Sequence, residues 1–512
     1  MTPYSPIHAL SLAMACALAA SAPAASSYDV RAFGAKGDGQ ANDAAAINGA
    51  IEAASAAGGG TVDFPAGTYL SGSIHLKSNV ALFLGQGATI EASDENKAYD
   101  PPEPNSWGDT LHYQDFGHSH FHDSLIWGDG LTNISITGPG RIFGKGLSRD
   151  RQRDNPLQKV GNKAIALKNC RNVILRDFTI EHGGWFGILA TGVDNLTIDA
   201  LRIDTNRDGM DVDCCHNVRI SNCSVNSPWD DGICLKSSFG LGQFRSTENV
   251  TISNCLVSGY DEGTLLDGTR QHDAAKNPAP TGRIKFGTES NGGFKAITIT
   301  NCVFECCRGL ALETVDGALL EDVTVSNVAM RTIFDAPIFL RIGARMRGPD
   351  NTPVGVLRHV IISNVVAEDV RDRQAILIAG LESHPVEDVL LDNIRIQFQG
   401  GGTAGDASRE LPEMVHNYPE PGSFGPTPSW ALYARHAANL VVHQVVFSSA
   451  AGDLRSPVFL EDVAGADFEH VAAQSAKPGA TFVLRVVSGF SAESCPGVPD
   501  VTRPHVVASE KL

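Results

Sequence analysis

Three aspartates stand out: Asp208 in "NRDGMDVD", and Asp230 with Asp231 in "SPWDDGICLKSS". Laying the two Asp-Gly pairs over each other puts Asp208 on Asp231, 23 residues apart (231 − 208). On a plain strand Asp230 and Asp231 would face opposite ways, so a bend before the strand is expected to bring Asp230 to the same side. Three carboxylates at one place push one another's proton affinities apart, leaving one as acid and another as base. Hydrolysis of a glycosidic bond needs that pair. Two plainer readings stand beside it. Asp-Gly often only makes a turn, and clustered aspartates also suit calcium.

Superposing residues 23 apart assumes a repeat, and the chain has one. The segments "TNISIT", "RNVILR", "DNLTID", "HNVRIS", "ENVTIS", "KAITIT", "EDVTVS", "RHVIIS", "EDVLLD" and "ANLVVH" share a polar–aliphatic–any–aliphatic pattern. Their shortest spacings are 23 (172 to 195) and 22 (195 to 217) residues, and the longer ones fit the same unit with a loop inserted. Self-similarity of this period marks a solenoid. Five residues after the marker, six successive units place Asn222, Asn254, Asn301, Asn327, Asn364 and Asn393. Parallel coils set equivalent residues about 4.8 Å apart, where amides can join in a ladder. The expected fold is all-β, a single-stranded right-handed parallel β-helix, with the asparagine ladder inside it.

Cys223, Cys255 and Cys302 follow three of those asparagines and are expected to stack as buried thiols rather than disulfides. No Cys or His spacing suits zinc, and neither a metal nor a cofactor is expected. Asp43 to Ala57 reads as an amphipathic helix covering the first coil. The insert "ELPEMVHNYPEPGSFGPTPSW" reads as a loop over the groove, because the repeat resumes at Asn439.

Composition narrows the partners. A formal net charge of −18 excludes a phosphate-tracking nucleic-acid binder. Residues 1–25 read as an export signal: "ALSLAMACALAA" is a short apolar core and Ala22-Pro23-Ala24 a small-residue cleavage site, although no Lys or Arg precedes them. That run is too short to span a membrane. Residues 26–512 are then one secreted or periplasmic domain, expected to be a monomer.

On these motifs the chain resembles glycoside hydrolase family 28, the polygalacturonases and their relatives, over roughly residues 28 to 470. "FGAKGDGQANDAAAI" and "GGGTVDFPAGTY" are similar to the opening shared by several pectin-degrading β-helix enzymes, and "FGTESNGG" to a Gly-Ser-Glu…Gly-Gly stretch. The family's Asn-Thr-Asp corresponds to Asn206–Asp208, with Arg207 replacing Thr, and its Asp-Asp pair to Asp230 and Asp231. The resemblance implies a pectic substrate, Asp230 as general acid, and Asp208 with Asp231 activating water in an inverting hydrolysis. Acid and base should then be spaced as in inverting enzymes.

Two family features are changed. No histidine occurs near Thr281-Gly282-Arg283, where a Gly-His-Gly is expected. The uronate-gripping Arg-Ile-Lys has become Ala311, Leu312 and Glu313. Arg283 and Lys285 lie at alternating positions of the preceding coil, with Lys285 in the column of Ala311. They would grip a uronate carboxylate from there, or Lys285 would only neutralise Glu313 or a nearby Asp. Failing such a grip, the sugar at that position is neutral. Trp185 and Trp229 are candidate sugar platforms, Asn206 and Glu313 candidate substrate contacts, and Asp213 with Lys236 a structural ion pair. A calcium-dependent pectate lyase and a non-catalytic glycan-binding β-helix are the alternative functions.

Overall fold

The computed structural model describes residues 26–95, 97–105, 107, 116–149, 161–474 and 479–512. The expected export signal, residues 1–25, lies outside them. The chain winds as a parallel β-helix in which each strand pairs with its equivalent one coil away. The column Val173, Leu196, Val218, Val250, Ile297, Val323, Val360 and Val389 runs through successive coils in register. All of these side chains are buried. One apolar core therefore runs from Val30 to Val506, and the aliphatic positions of the repeat are its lining.

The polar residue opening each repeat has a different task. Asn172, Asn195, Asn217 and Asn249 all have φ between 55° and 58°, the left-handed corner that Asn tolerates better than other side chains. The second asparagine column does the same at the next corner, with φ between 50° and 58° from Asn222 to Asn393. Its amides join as expected: Asn254 donates to Asn222 at 3.3 Å, Asn301 to Asn254 at 3.2 Å, and so on to Asn393 with Asn364 at 2.7 Å. These side chains are exposed, however. The ladder runs along the outside edge, not the interior, because a left-handed corner turns the chain with its side chain outward.

Cys223, Cys255 and Cys302 are buried within the core, and all ten cysteines of the described residues are free thiols. A helix, Ala44–Ala56, buries Ile47, Ala50, Ile51 and Ala54 against the first coil. Asp43, at its start, accepts the backbone N–H groups of Lys36 and Gly37 at 2.7 and 2.9 Å. At the other end, Val501–Lys511 pairs antiparallel with Phe482–Glu493 and closes the stack. No helix among the described residues is long and apolar enough to cross a membrane.

Candidate active site

One sheet of the solenoid carries the aspartates. Its strands Phe186–Thr191, Asp208–Asp213, Ile233–Ser237, Ile284–Ser290 and Leu310–Thr314 stack in that order. Met210 pairs with Ile233, and the N–H of Gly209 donates to the Asp231 carbonyl at 3.0 Å. This register sets Asp208 one coil from Asp231. Gly209 is required there, since a Cβ would sit 2.4 Å from the Gly232 carbonyl. Asp230 and Asp231 lie in the turn before the strand that begins at Ile233, with the Asp231 N–H donating to Asp230 Oδ1 at 3.1 Å. A turn escapes the alternation of a strand, so both carboxylates join Asp208 on one side.

One oxygen from each of the three aspartates lies within 4.8 Å of the others. That is closer than the roughly 6.5–9.5 Å expected between acid and base of an inverting enzyme. The cause is the stack itself, because adjacent parallel strands are about 4.8 Å apart. Two oxygens at this spacing can both hydrogen-bond one water between them.

The three carboxyls have unlike surroundings. Burial pushes Asp208 well above the usual carboxylate range, and the charges of Asp230 and Asp211 push it further. Burial acts on Asp231 in the same direction, but Lys285, Arg283 and Lys236 outweigh it and hold this carboxyl at about 2. Arg283 Nε donates to Asp231 Oδ1 at 2.9 Å, and Lys285 Nζ lies 3.6 Å from Oδ2. Asp230 pairs with Arg207 at 2.6 Å and is the least buried of the three. A proton carrier thus stands beside a permanent base. The electrostatics favour a proton on Asp208, whereas the family resemblance makes Asp230 the acid.

The cleft over these groups has a volume of about 250 Å³. Besides the aspartates it is lined by His118, Trp185, Arg207, Lys236, Glu289, Arg347 and Tyr418. A larger hollow of about 730 Å³ lies elsewhere, along Asn254 and Asn301; its acidic residues are Glu305 and Glu368. Arg270 pairs with Glu305 at 3.1 Å there, and the three aspartates are not part of it.

The other expected site residues divide. Trp185 lines the cleft, with the Arg207 guanidinium 5.2 Å above its ring. Trp229 is exposed and does not line it. Asn206 is not among its lining residues; its backbone carbonyl accepts the Trp229 backbone N–H at 3.1 Å. Arg283, Lys285 and Glu313 are essentially buried and do not line it either. Lys285 is paired with Ala311 in register as expected, and its ammonium neutralises Asp231, 3.6 Å away, and lies 3.7 Å from Glu313. Lys236 does not pair with Asp213 as expected. Its ammonium turns to Glu289 at 2.8 Å and Asp211 at 3.7 Å. Asp213 instead accepts from Ser238 and Thr191. Register sets the backbones of residues 213 and 236 side by side; the carboxylates around the ammonium decide the pairing.

Tyr418 and Glu420 were not legible as site residues. They belong to the Pro-rich insert, which does lie over the groove. Tyr418 Oη accepts from Lys285 Nζ at 3.1 Å, and Glu420 pairs with Arg283 at 2.6 Å and Arg308 at 2.9 Å. The only sequence signal was the insertion's position in the repeat. Arg207 was the substituted residue of the Asn-Thr-Asp motif, a departure that pointed to it without naming its partner.

Comparison with known proteins agrees with this architecture. Residues 27–109 match the family model "Rhamnogalacturonase A/epimerase, pectate lyase-like", and residues 148–278 match "Right handed beta helix region". A probable polygalacturonase of Vitis vinifera is 26% identical over 388 residues, 72% of this chain and 73% of that protein. An exo-poly-alpha-D-galacturonosidase of Dickeya chrysanthemi is 27% identical over 289 residues, 53% of this chain but only 47% of its own length. The exopolygalacturonase structure from Thermotoga maritima superposes with a TM-score of 0.61 at 18% identity, covering 95% of both chains, which establishes the fold. The resemblance to the polygalacturonases holds across most of the chain.

Proposed function

We propose that this homologue of the polygalacturonases is a glycoside hydrolase that cleaves a pectin-type, uronate-containing glycan with inversion. The observation that carries the reading is the opposed pair: Asp208, driven to hold a proton, and Asp231, held ionised at about 2. Asp208 and Asp231 hold one water between adjacent coils, and Asp231 takes its proton as the water attacks the anomeric carbon. Asp230, the most accessible carboxyl, receives the proton of the Asp208–Asp230 pair and delivers it to the leaving oxygen. Direct attack by a water leaves the product with inverted configuration.

The calcium-dependent alternative fits less well. Arg207, Arg283 and Lys285 already compensate the carboxylates a cation would bind, and an added divalent ion would face three fixed positive charges. The test is incubation of purified protein with defined pectin fragments, following reducing ends, ultraviolet absorbance and the first-formed anomer. New reducing ends, no unsaturated product and indifference to chelator are expected. Unsaturated products would establish a lyase, bound sugar without cleavage would establish a binding protein, and retention of configuration would make one aspartate a nucleophile. We place its action outside the cytoplasm on the character of residues 1–25; an uncleaved N-terminus in the cell's soluble interior would refute that.

A further inference from the structure

Glu420 occupies a setting built for a carboxylate. Arg283 Nη2 contacts its Oε1 at 2.6 Å and Arg308 Nη1 its Oε2 at 2.9 Å, with Lys285 Nζ 3.8 Å from Oε1. Two cations thus hold the two oxygens separately while a third stands close, the arrangement that recognises a planar anion. Burial alone would raise this carboxyl, but Arg283, Lys285 and Arg308 hold it below its usual range, so it is ionised. Asp231 shares two of the same cations, Arg283 and Lys285. The nest therefore directly adjoins the proposed base.

The segment bearing Glu420 is fixed on both sides. Val415 accepts the Ala344 N–H at 2.7 Å, His416 Nδ1 contacts the Ala344 carbonyl at 2.6 Å, and Arg341 donates to the carbonyls of Glu413 and Met414. Beyond it, Phe424 is buried against Phe339, and Gln374 donates to the Gly425 carbonyl at 2.6 Å. Clamped this way, Glu420 is a fixed part of the insert over the groove rather than a lid.

We infer that Glu420 is a specificity determinant: it fills the carboxylate position beside Asp231, so the sugar bound there is neutral and a uronate is rejected. A substrate carboxylate at this position would have to displace Glu420 from three cations or lie against it, and like charges so placed repel. The substrate class is then a pectic backbone in which neutral sugars alternate with uronates, rather than one of uronates alone. This deepens the proposed function and rests on it.

The experiment compares kcat/KM on two sets of oligosaccharides, one all galacturonate and one alternating galacturonate with a neutral deoxyhexose. The wild type should favour the alternating set. Glu420→Gln should move the ratio toward the all-uronate set by about tenfold or more, the scale of one charge-assisted hydrogen bond. Because this change unpairs buried cations and can impair folding, Glu420→Asp is measured beside it. It keeps the charge, shortens its reach, and should move the ratio the same way by less. An unmoved ratio in both variants, or a wild type that prefers the all-uronate set, overturns the inference. If the wild type cleaves neither set, the proposed function fails, and the inference is judged by melting temperature in acetate. Acetate should stabilise Glu420→Ala more than the wild type by refilling the nest; equal shifts refute it.

Discussion

Asp208 and Asp231 stand one coil apart, tied by the Gly209 N–H to the Asp231 carbonyl at 3.0 Å, yet their proton affinities lie on opposite sides of an ordinary aspartate. The backbone makes them neighbours; Lys285, on the strand of the next coil, and Arg283, just before it, make them different.

If Asp230 delivers the proton, Asp230→Asn should lower kcat by about 100-fold or more, the usual contribution of general acid catalysis. Substrates with a very acidic leaving group need no such help and should lose far less. Equal losses on both kinds of substrate would take the acid role from Asp230.

Lys285 is the leading cation that keeps Asp231 ionised. Lys285→Met should raise that carboxyl, so the acid limb of the kcat/KM profile moves to higher pH. The linkage has the same sign for stability. A depressed Asp contributes stability above its unfolded value of 3.8, and this is lost as pH falls toward about 2. In the variant the contribution should be smaller and its loss complete at a higher pH. An acid limb that stays in place would show that Asp231 is not the base.

Glu313 is buried with neither carboxyl oxygen hydrogen-bonded, and burial raises it to about 8 against the opposing pull of Lys285 and Arg283. A carboxyl raised on folding gives stability that is full below its unfolded value of 4.5 and lost as pH rises through about 8. Glu313→Gln removes that ionisation. Its melting temperature should gain on the wild type between about pH 5 and about pH 9. A constant difference across that range would mean that Glu313 does not titrate there.

The exposed asparagine ladder makes a modest stability prediction. Asn301→Ala should cost about 0.5–1.5 kcal/mol, the net worth of a hydrogen bond rather than the penalty for an unpaired buried group. Asn301→Gly also loses the amide but accepts the left-handed corner freely. If the corner matters more than the amide, the glycine variant will be the more stable by denaturant unfolding.

Much of the site could be read from one repeat. A solenoid converts sequence spacing into spatial neighbourhood through its backbone hydrogen bonds. The spacing of 23 was therefore enough to set Asp208 on Asp231, and the alternation of Arg283 and Lys285 enough to aim both at one place. The same logic delivered the capping helix, the stacked thiols and the insert over the groove. It could not tell that the asparagine corner faces outward, because a ladder of amides has the same period on either side of the wall.

The period also says nothing of side chains that choose partners by charge. Lys236 shares a register with Asp213 and turns to Glu289. Arg283 and Glu420 lie 137 residues apart, joined by a loop whose length belongs to no repeat. The sequence by itself determined the coil, its register and the three aspartates. Tertiary structure alone decided which aspartate is held charged and what fills the cation nest, because those depend on where an irregular insertion comes to rest against a regular wall.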